Sequence, residues 1–373
     1  MIRFLLFGFV FTAVMGGLNY YVYKRFFKRL HFGSPRGWAS VCLVLFGIEV
    51  LFVFQTLTHL LPDSLALYYL LSSSVGVTFI LFFVALVYDL MHTAASRIPY
   101  SPERRRFIKI GFDLTMIVAA VAYLFGGLIG GLRRPMLNFQ RISLGEKGVQ
   151  PFRIVQLSDL HVGLGIKKAF VAECVERINA LAPDMVVITG DLVDRKVEHI
   201  AEDLLPLKRL RSKHGTFFIT GNHEYFHDVQ SVIAFVRDVL GITVLDNKSV
   251  PVAGRFNLVG INDLISKRMG VLPYDVEAAF SECDPALKTV VLAHQPKSVQ
   301  VMRHKDYDLM LSGHTHGGQI FPFGLLVMID QPYLAGHYRV DERKQIFVSR
   351  GTGYWGPPLR VLAPSEITVL DLD

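Results

Sequence analysis

Cysteine is scarce in this chain of 373 residues: Cys42, Cys174 and Cys283 are the only three, and no two stand in a C-x-x-C spacing. That excludes a zinc knuckle and a disulfide framework, and leaves a single Cys174–Cys283 bridge open. Acidic residues are nearly missing from the first part of the chain. Residues 1–141 carry 14 Lys and Arg against 5 Asp and Glu, a net charge of +9, whereas residues 142–373 carry 25 against 27, a net charge of −2. The overall +7 therefore belongs to the apolar N-terminal part, where basic loops are topology signals first. It is no argument for binding nucleic acid, and no nucleic-acid partner is expected. There are no internal repeats and no low-complexity tracts. The first apolar run also lacks a small-residue cleavage site before the basic stretch 24–29, so it does not read as a signal peptide.

Apolar runs, by contrast, are plentiful, and hydrophobic residues make up 51% of the chain. Residues 2–23, 38–61, 65–90 and 110–132 are each long enough to cross a hydrocarbon core, which takes about 20 residues. Residues 1–132 thus read as a transmembrane region of four helices. Lys24, Arg25, Lys28, Arg29 and Arg36 follow the first run, and Arg97, Arg104, Arg105, Arg106 and Lys109 follow the third. The turn after the second, around Pro62 and Asp63, has no Lys or Arg. Positive charge gathers on the inner side of a membrane. Both basic loops are therefore expected in the cytoplasm, and the domain after residue 132 outside it, in a multi-pass protein of the inner cell membrane. Arg133 and Arg134 run against this, two charges against ten. Glu49 lies mid-span, where a charged carboxylate costs roughly 2.5–3.5 kcal/mol; it is either protonated or paired with a neighbouring helix. His59, Asp89, His92 and Asp113 stand nearer the ends of their runs and are expected at the interface.

Residues 133–150 form a short polar linker that reaches at most about 60 Å, which keeps the domain at 151–373 close to the bilayer. That domain repeats one pattern: an apolar, β-branched run, then Asp, Asn or His where the strand stops, the place where ligands gather in α/β sheets. Residues 152–157 lead to Ser158-Asp159-Leu160-His161, and 184–189 to Gly190-Asp191-Leu192-Val193-Asp194. Residues 216–220 lead to Gly221-Asn222-His223-Glu224, and 289–293 to His294-Gln295-Pro296. The run 309–311 leads to Gly313-His314-Thr315-His316-Gly317-Gly318. Helices are expected over 168–181 and 229–240. A lone Asp or Asn after a strand is an ordinary turn residue; five such blocks in one domain are a ligand set. On an extended strand end, His314 and His316 point the same way, which serves one ion or two adjacent ions. His199, His214, His227, His304 and His337 match no block and read as surface or loop residues.

Carboxylate and amide oxygens with imidazole nitrogens, and no thiolates, suit Mn, Fe or Zn and argue against a structural zinc. Two such ions about 3.5–4 Å apart, sharing one carboxylate, are an arrangement that hydrolyses phosphate esters.

Taken together, the D-x-H, G-D-x-x-D, G-N-H-[E/D], H and G-H-x-H blocks resemble the calcineurin-like metallophosphoesterases over residues 150–373. The resemblance implies an α/β domain of two β-sheets sandwiched between helices. By matched position, Asp159, His161 and His316 would hold one ion, Asn222, His294 and His314 the other, and Asp191 would bridge them. His223 would contact the phosphate and protonate the leaving group, a task suited to an imidazole's titration range. The extension G-D-L-V-D-R is similar to the protein Ser/Thr phosphatase form of this motif. By that likeness Asp194 would orient His223 and Arg195 would bind phosphate, though Lys196 stands where those enzymes have glycine; Arg195 otherwise reads as a solvated loop charge. The flanks G-H-T-H-G-G-Q (313–319) and G-T-G-Y-W-G-P-P-L-R (351–360) resemble the bacterial membrane-associated branch, close to one type of UDP-2,3-diacylglucosamine hydrolase. Tyr354, Trp355 and Arg360 are then the candidate substrate contacts, or else parts of a packed glycine-rich loop.

The expectation is a membrane-anchored enzyme using two divalent ions to hydrolyse a phosphodiester or pyrophosphate of a lipid-linked or amphiphilic substrate. A lipid A-type reaction needs a cytosolic nucleotide substrate, which the expected topology opposes. The alternative is a phosphomonoesterase acting on proteins or small metabolites. A non-catalytic membrane sensor with a decayed enzyme domain is disfavoured because every ligand position is filled.

Overall fold

The computed structural model describes residues 2–58, 60–95, 101–145 and 150–373. His59, Arg97 and residues 146–149 of the expected linker lie outside the described residues. The chain divides into two units, Met1–Leu132 with Gly356–Val361, and Arg133–Trp355 with Leu362–Asp373.

The first unit is helical: α1 (Ile2–Arg25), α2 (Pro35–Thr58), α3 (Leu65–Ala95) and α4 (Pro102–Leu132). All four are long and apolar enough to cross a membrane. Leu6, Phe9, Leu43 and Phe125 point outward, while Val22, Phe26, Leu81, Tyr88 and Met116 pack inside. Several polar groups inside the bundle are paired, which offsets the cost of burying them. Asn19 Nδ2 donates to Glu49 Oε2 at 2.8 Å, so Glu49 is tied across α1 and α2. Asp113 is fully buried, and Lys109 one turn earlier and the Tyr88 hydroxyl reach it at 2.8 and 2.7 Å. Gly356–Val361 packs within this unit: Arg360 N donates to Gly127 O and Tyr68 OH to Gly356 O, both at 2.8 Å.

Among the described residues, the second unit holds twelve strands. They are β1 (Met136–Ile142), β2 (Phe152–Leu157), β3 (Met185–Thr189), β4 (Thr216–Ile219), β5 (Thr243–Val244), β6 (Lys248–Val252), β7 (Phe256–Gly260), β8 (Lys288–Leu292), β9 (Leu309–Ser312), β10 (Gly336–Arg339), β11 (Gln345–Val348) and β12 (Glu366–Leu372). One six-stranded sheet runs β1-β12-β2-β3-β4-β5 and the other β10-β11-β9-β8-β7-β6. β2, β3 and β4 are mutually parallel, as are β7, β8 and β9. Parallel strands are covered on both faces and read as continuous apolar runs. Alternation still sorts their side chains: Val290 and Leu292 enter the core between the sheets, with Ile154, Met185, Val187 and Phe217 of the first sheet. Val291 turns the other way, toward Val276, Val299 and Met302. Helix α5 (Lys168–Ala180) follows β2, burying Val171, Val175 and Ile178.

Two differences from the sequence reading stand out. Residues 136–142, inside the expected linker, form β1 and pair in register with β12 from Met136–Glu366 to Ile142–Leu372. Their burial is weak and lacks alternation, so neither period flags a strand, and the pairing partner lies far along the chain. All three cysteines are free, with Cys174 buried in α5 and Cys283 partly exposed; no Cys174–Cys283 bridge forms.

Candidate metal centre

The blocks sit where parallel strands end, and the backbone there is unusual. Asp159, His161, Asp191, His314 and His316 have φ values of 53°, 52°, 51°, 72° and 51°. This left-handed conformation costs a non-glycine residue on the order of 1 kcal/mol or more, and it clusters at functional sites. Hydrogen bonds between blocks hold it: Asp159 N donates to Gly190 O and His161 N to Asp191 O, both at 3.0 Å. His314 N donates in turn to Asp159 Oδ1 at 2.9 Å. The same crowding explains the glycines that precede two of the candidate ligands. A Cβ on Gly313 would lie 2.2 Å from Asp159 Oδ2, and one on Gly221 2.3 Å from Asp191 Oδ1.

Three groups of donor atoms result, each spanning no more than 4.8 Å: Asp159–His161–His316, Asp191–His294–His314, and His161–Asp194–His223. His314 and His316 fall into different groups. The extended alternation expected for them is absent, because β9 ends at Ser312 and the chain turns at both histidines. His161 Nε2 and His316 Nε2 stand 3.0 Å apart, the spacing of two nitrogens at right angles on one ion with bonds of about 2.0–2.1 Å. Asp191 Oδ2 lies 3.1 Å from His294 Nε2 and 3.8 Å from His161 Nε2, between the first two groups.

The donors fit metal ions. His294 Nδ1 is 2.8 Å from Thr189 O, which fixes the ring as ligating histidines usually are fixed. Its Nε2 is left facing Asp191 without an aligned hydrogen bond. Asn222 Oδ1 and His161 Nδ1 are likewise buried with no hydrogen-bond partner. Burial, followed by the charge of His294, pulls His314 down to about 3, so its ring is neutral, as a ligand must be.

Beside these groups, His223 Nδ1 is 2.8 Å from Asp194 Oδ1. Burial opposes a charge on His223, but the Asp191 and Asp194 carboxylates outweigh it and raise the imidazole to about 9. Burial also works against ionised Asp194, yet contacts from His161, His223 and His227 hold it well below the usual carboxylate range. Trp355 is 54% exposed and meets the His223 ring edge-on at 5.7 Å, while Tyr354 is buried. Arg195 is half-buried, next to Asp194. Arg360 is buried and belongs to the helical unit.

Some contributors carry no signal of their own in a single strand-end block. Glu224 is fully buried and accepts from Gly221 N at 2.6 Å, Leu192 N at 2.8 Å, Asp191 N at 2.9 Å and Val193 N at 3.2 Å. It ties the second block to the third; its position in G-N-H-[E/D] was the available clue. Ser158 Oγ donates to Asp159 Oδ2 at 2.5 Å. His227, read as a loop histidine, has Nε2 3.8 Å from Asp194 Oδ1.

Residues 152–318 match the calcineurin-like phosphoesterase family. The chain is 38% identical over 375 residues to an uncharacterized metallophosphoesterase of Helicobacter pylori, covering 99% of this chain and 98% of that one. It is 31% identical over 376 residues to a Danio rerio transmembrane protein with metallophosphoesterase domain, covering 93% and 84%. A solved dimetal phosphatase from Danio rerio is more distant, at 10% identity and a TM-score of 0.33 over 59% of this chain and 91% of that one. The likeness to the first two extends through the apolar helices as well as the converging blocks. The chain belongs to the calcineurin-like metallophosphoesterase family and is a membrane-associated, metal-dependent phosphoesterase.

Proposed function

We propose that this enzyme hydrolyses a phosphodiester or pyrophosphate bond of a lipid-linked or amphiphilic substrate, using two divalent ions of the Mn, Fe or Zn class. The observation that carries the two-ion reading is the position of the Asp191 carboxylate between His161 and His294, 3.8 and 3.1 Å away. Asp159, His161 and His316 would hold one ion, Asn222, His294 and His314 the second, and Asp191 would serve both. Bound there, the ions would supply Lewis acidity and a water nucleophile at neutral pH. The chain's own part is to place and protonate. His223 holds a proton that it gives to the leaving oxygen, and Asp194, bonded to the other ring nitrogen, sets the ring's orientation. Arg195, Tyr354, Trp355 and Arg360 are the candidates for substrate contact, and the Trp355 ring meets that of His223 at 5.7 Å.

Anchorage supports an amphiphilic substrate, since a domain joined to four apolar helices works beside lipid. The distribution of Lys and Arg supports an extracytoplasmic domain following residue 132, in the inner membrane. Purified enzyme with Mn²⁺ assayed on bis-p-nitrophenyl phosphate and p-nitrophenyl phosphate, then on a panel of lipid phosphodiesters and diphosphates, tests the chemistry. Monoester turnover alone, with no diester or lipid hydrolysed, would sink the proposal in favour of a phosphomonoesterase. A C-terminal alkaline-phosphatase fusion reports the topology, and an inactive fusion with an active cytosolic reporter would reverse it.

A further inference from the structure

The helix Gly324–Asp330 of the catalytic unit carries an exposed apolar face. Leu325, Leu326, Met328 and Ile329 are 64%, 54%, 52% and 82% exposed, and only Gly324 in this helix is buried. A folded chain rarely spends four adjacent large apolar side chains on water; such patches mark interaction sites.

The helix is fastened to the candidate metal centre at both ends. Before it, Gly318 N donates to Thr315 O at 2.8 Å and Phe323 N to Ile320 O at 2.8 Å, which fold the chain back directly after His316. After it, Gln331 Oε1 accepts from Lys297 N at 3.0 Å and Gln331 Nε2 reaches Gln295 Oε1 at 3.3 Å, next to His294. Lys297 Nζ also pairs with Asp330 at 2.9 Å. The apolar side chains are thus carried on a short hairpin whose two feet stand beside donors of both groups.

We infer that this hairpin docks the catalytic unit onto the surface of the lipid bilayer that anchors the chain, inserting Leu325, Leu326, Met328 and Ile329 among the headgroups. Two features select lipid as the occupant. The chain holds the bilayer permanently at hand, because α4 ends at Leu132 and β1 begins at Met136. The chain leading into the patch is also bonded to the residue from which the chain returns to the apolar helices. Gln319 Nε2 donates to Trp355 O at 2.9 Å and Trp355 N to Gln319 Oε1 at 3.0 Å, and the next residue, Gly356, opens the segment packed in the helical unit. Leu362, where the chain leaves that segment, is 81% exposed. Removing such side chains from water is favourable at an interface. The consequence for catalysis rests on the proposed amphiphilic substrate: a headgroup would be drawn from the bilayer to the metal centre without crossing open water.

The test places a fluorophore on Ile329→Cys in a Cys283→Ser background, in full-length protein reconstituted in nanodiscs of phosphatidylethanolamine and phosphatidylglycerol. Nitroxide-labelled lipid is expected to quench it at least twofold and aqueous iodide hardly at all. Strong iodide quenching without lipid quenching overturns the inference. In parallel, Leu325→Asp/Ile329→Asp is expected to keep bis-p-nitrophenyl phosphate hydrolysis within twofold while losing at least tenfold on a vesicle-embedded lipid phosphodiester. Equal activity of wild type and variant on the vesicle substrate also overturns it. Lipid quenching in an enzyme that hydrolyses no lipid phosphoester retains the docking and removes the amphiphilic substrate alone.

Discussion

His161 Nε2 faces His316 Nε2 across 3.0 Å, two imidazole nitrogens from blocks at opposite ends of the motif set. Either one ring donates an N–H to the other or both turn lone pairs to a cation, and the buried carboxylates of Asp159 and Asp191, 3.5 and 3.8 Å from these nitrogens, favour the cation. His316→Ala is therefore expected to lower bound metal by about one ion per chain and activity by at least about a hundredfold, beyond the loss typical of outer-shell changes. Metal analysis of purified wild type and variant decides the matter, and unchanged metal content refutes the assignment of His316.

The bond between Asp194 and His223 makes a prediction about leaving groups. General acid catalysis is worth roughly 10²–10⁴-fold, but only when the departing oxygen needs a proton. His223→Ala should lose at least about a hundredfold on an alkyl phosphodiester and far less on a p-nitrophenyl ester. Asp194→Asn should show the same split in milder form. If both variants lose equally on the two substrates, His223 acts on binding and not on the leaving oxygen.

Glu224 is predicted to matter without touching substrate. Glu224→Gln replaces one of two oxygens that accept four backbone N–H groups, leaving buried donors unpaired at about 1–3 kcal/mol. Since those donors include Asp191 N and Gly221 N, metal affinity should fall about 10–100-fold, together with the melting temperature. Titration of apo-protein with Mn²⁺, followed by thermal unfolding, measures both; a lower melting point with unchanged affinity would reduce Glu224 to a fold residue.

Asp263 gives the pH prediction. It is 2% exposed, and burial raises its carboxyl to about 6, although Gln295 Nε2 donates to both oxygens at 2.8 and 3.0 Å. The unfolded value is about 3.9, so the native state holds the proton more tightly. Its stabilising effect is full below about pH 4 and is lost as pH rises through about 6. The melting temperature of wild type minus that of Asp263→Asn should therefore fall between pH 4.5 and pH 7. A difference independent of pH would contradict a raised Asp263.

Much of the fold was legible because burial on both faces leaves a plain mark. Phe152–Leu157 and Met185–Thr189 read as strands from their apolar runs, and their C-terminal ends located the donors. α1 to α4 were legible from apolar runs long enough to cross a hydrocarbon core. What escaped depends on partners remote in the chain. β1 is a strand only because β12 pairs with it, and Arg360 lies in the helical unit because its backbone reaches Gly127. The turns at His314 and His316 escaped because left-handed backbone at histidine has no marker in composition, and the bond from His314 N to Asp159 that helps hold it comes from a block far back in the chain.

The placement of β12 between β1 and β2 has a consequence for biosynthesis. β1 and β2 leave the ribosome early, but the strand that joins them begins at Glu366. Until it arrives, both carry an open edge, the kind of surface that invites misassembly. Insertion of the four helices is over by then, so the membrane is already holding the chain while its catalytic sheet waits to close. A stop codon ahead of Glu366 would thus yield an anchored protein with a permanently unpaired sheet, marked for proteolysis rather than merely inactive.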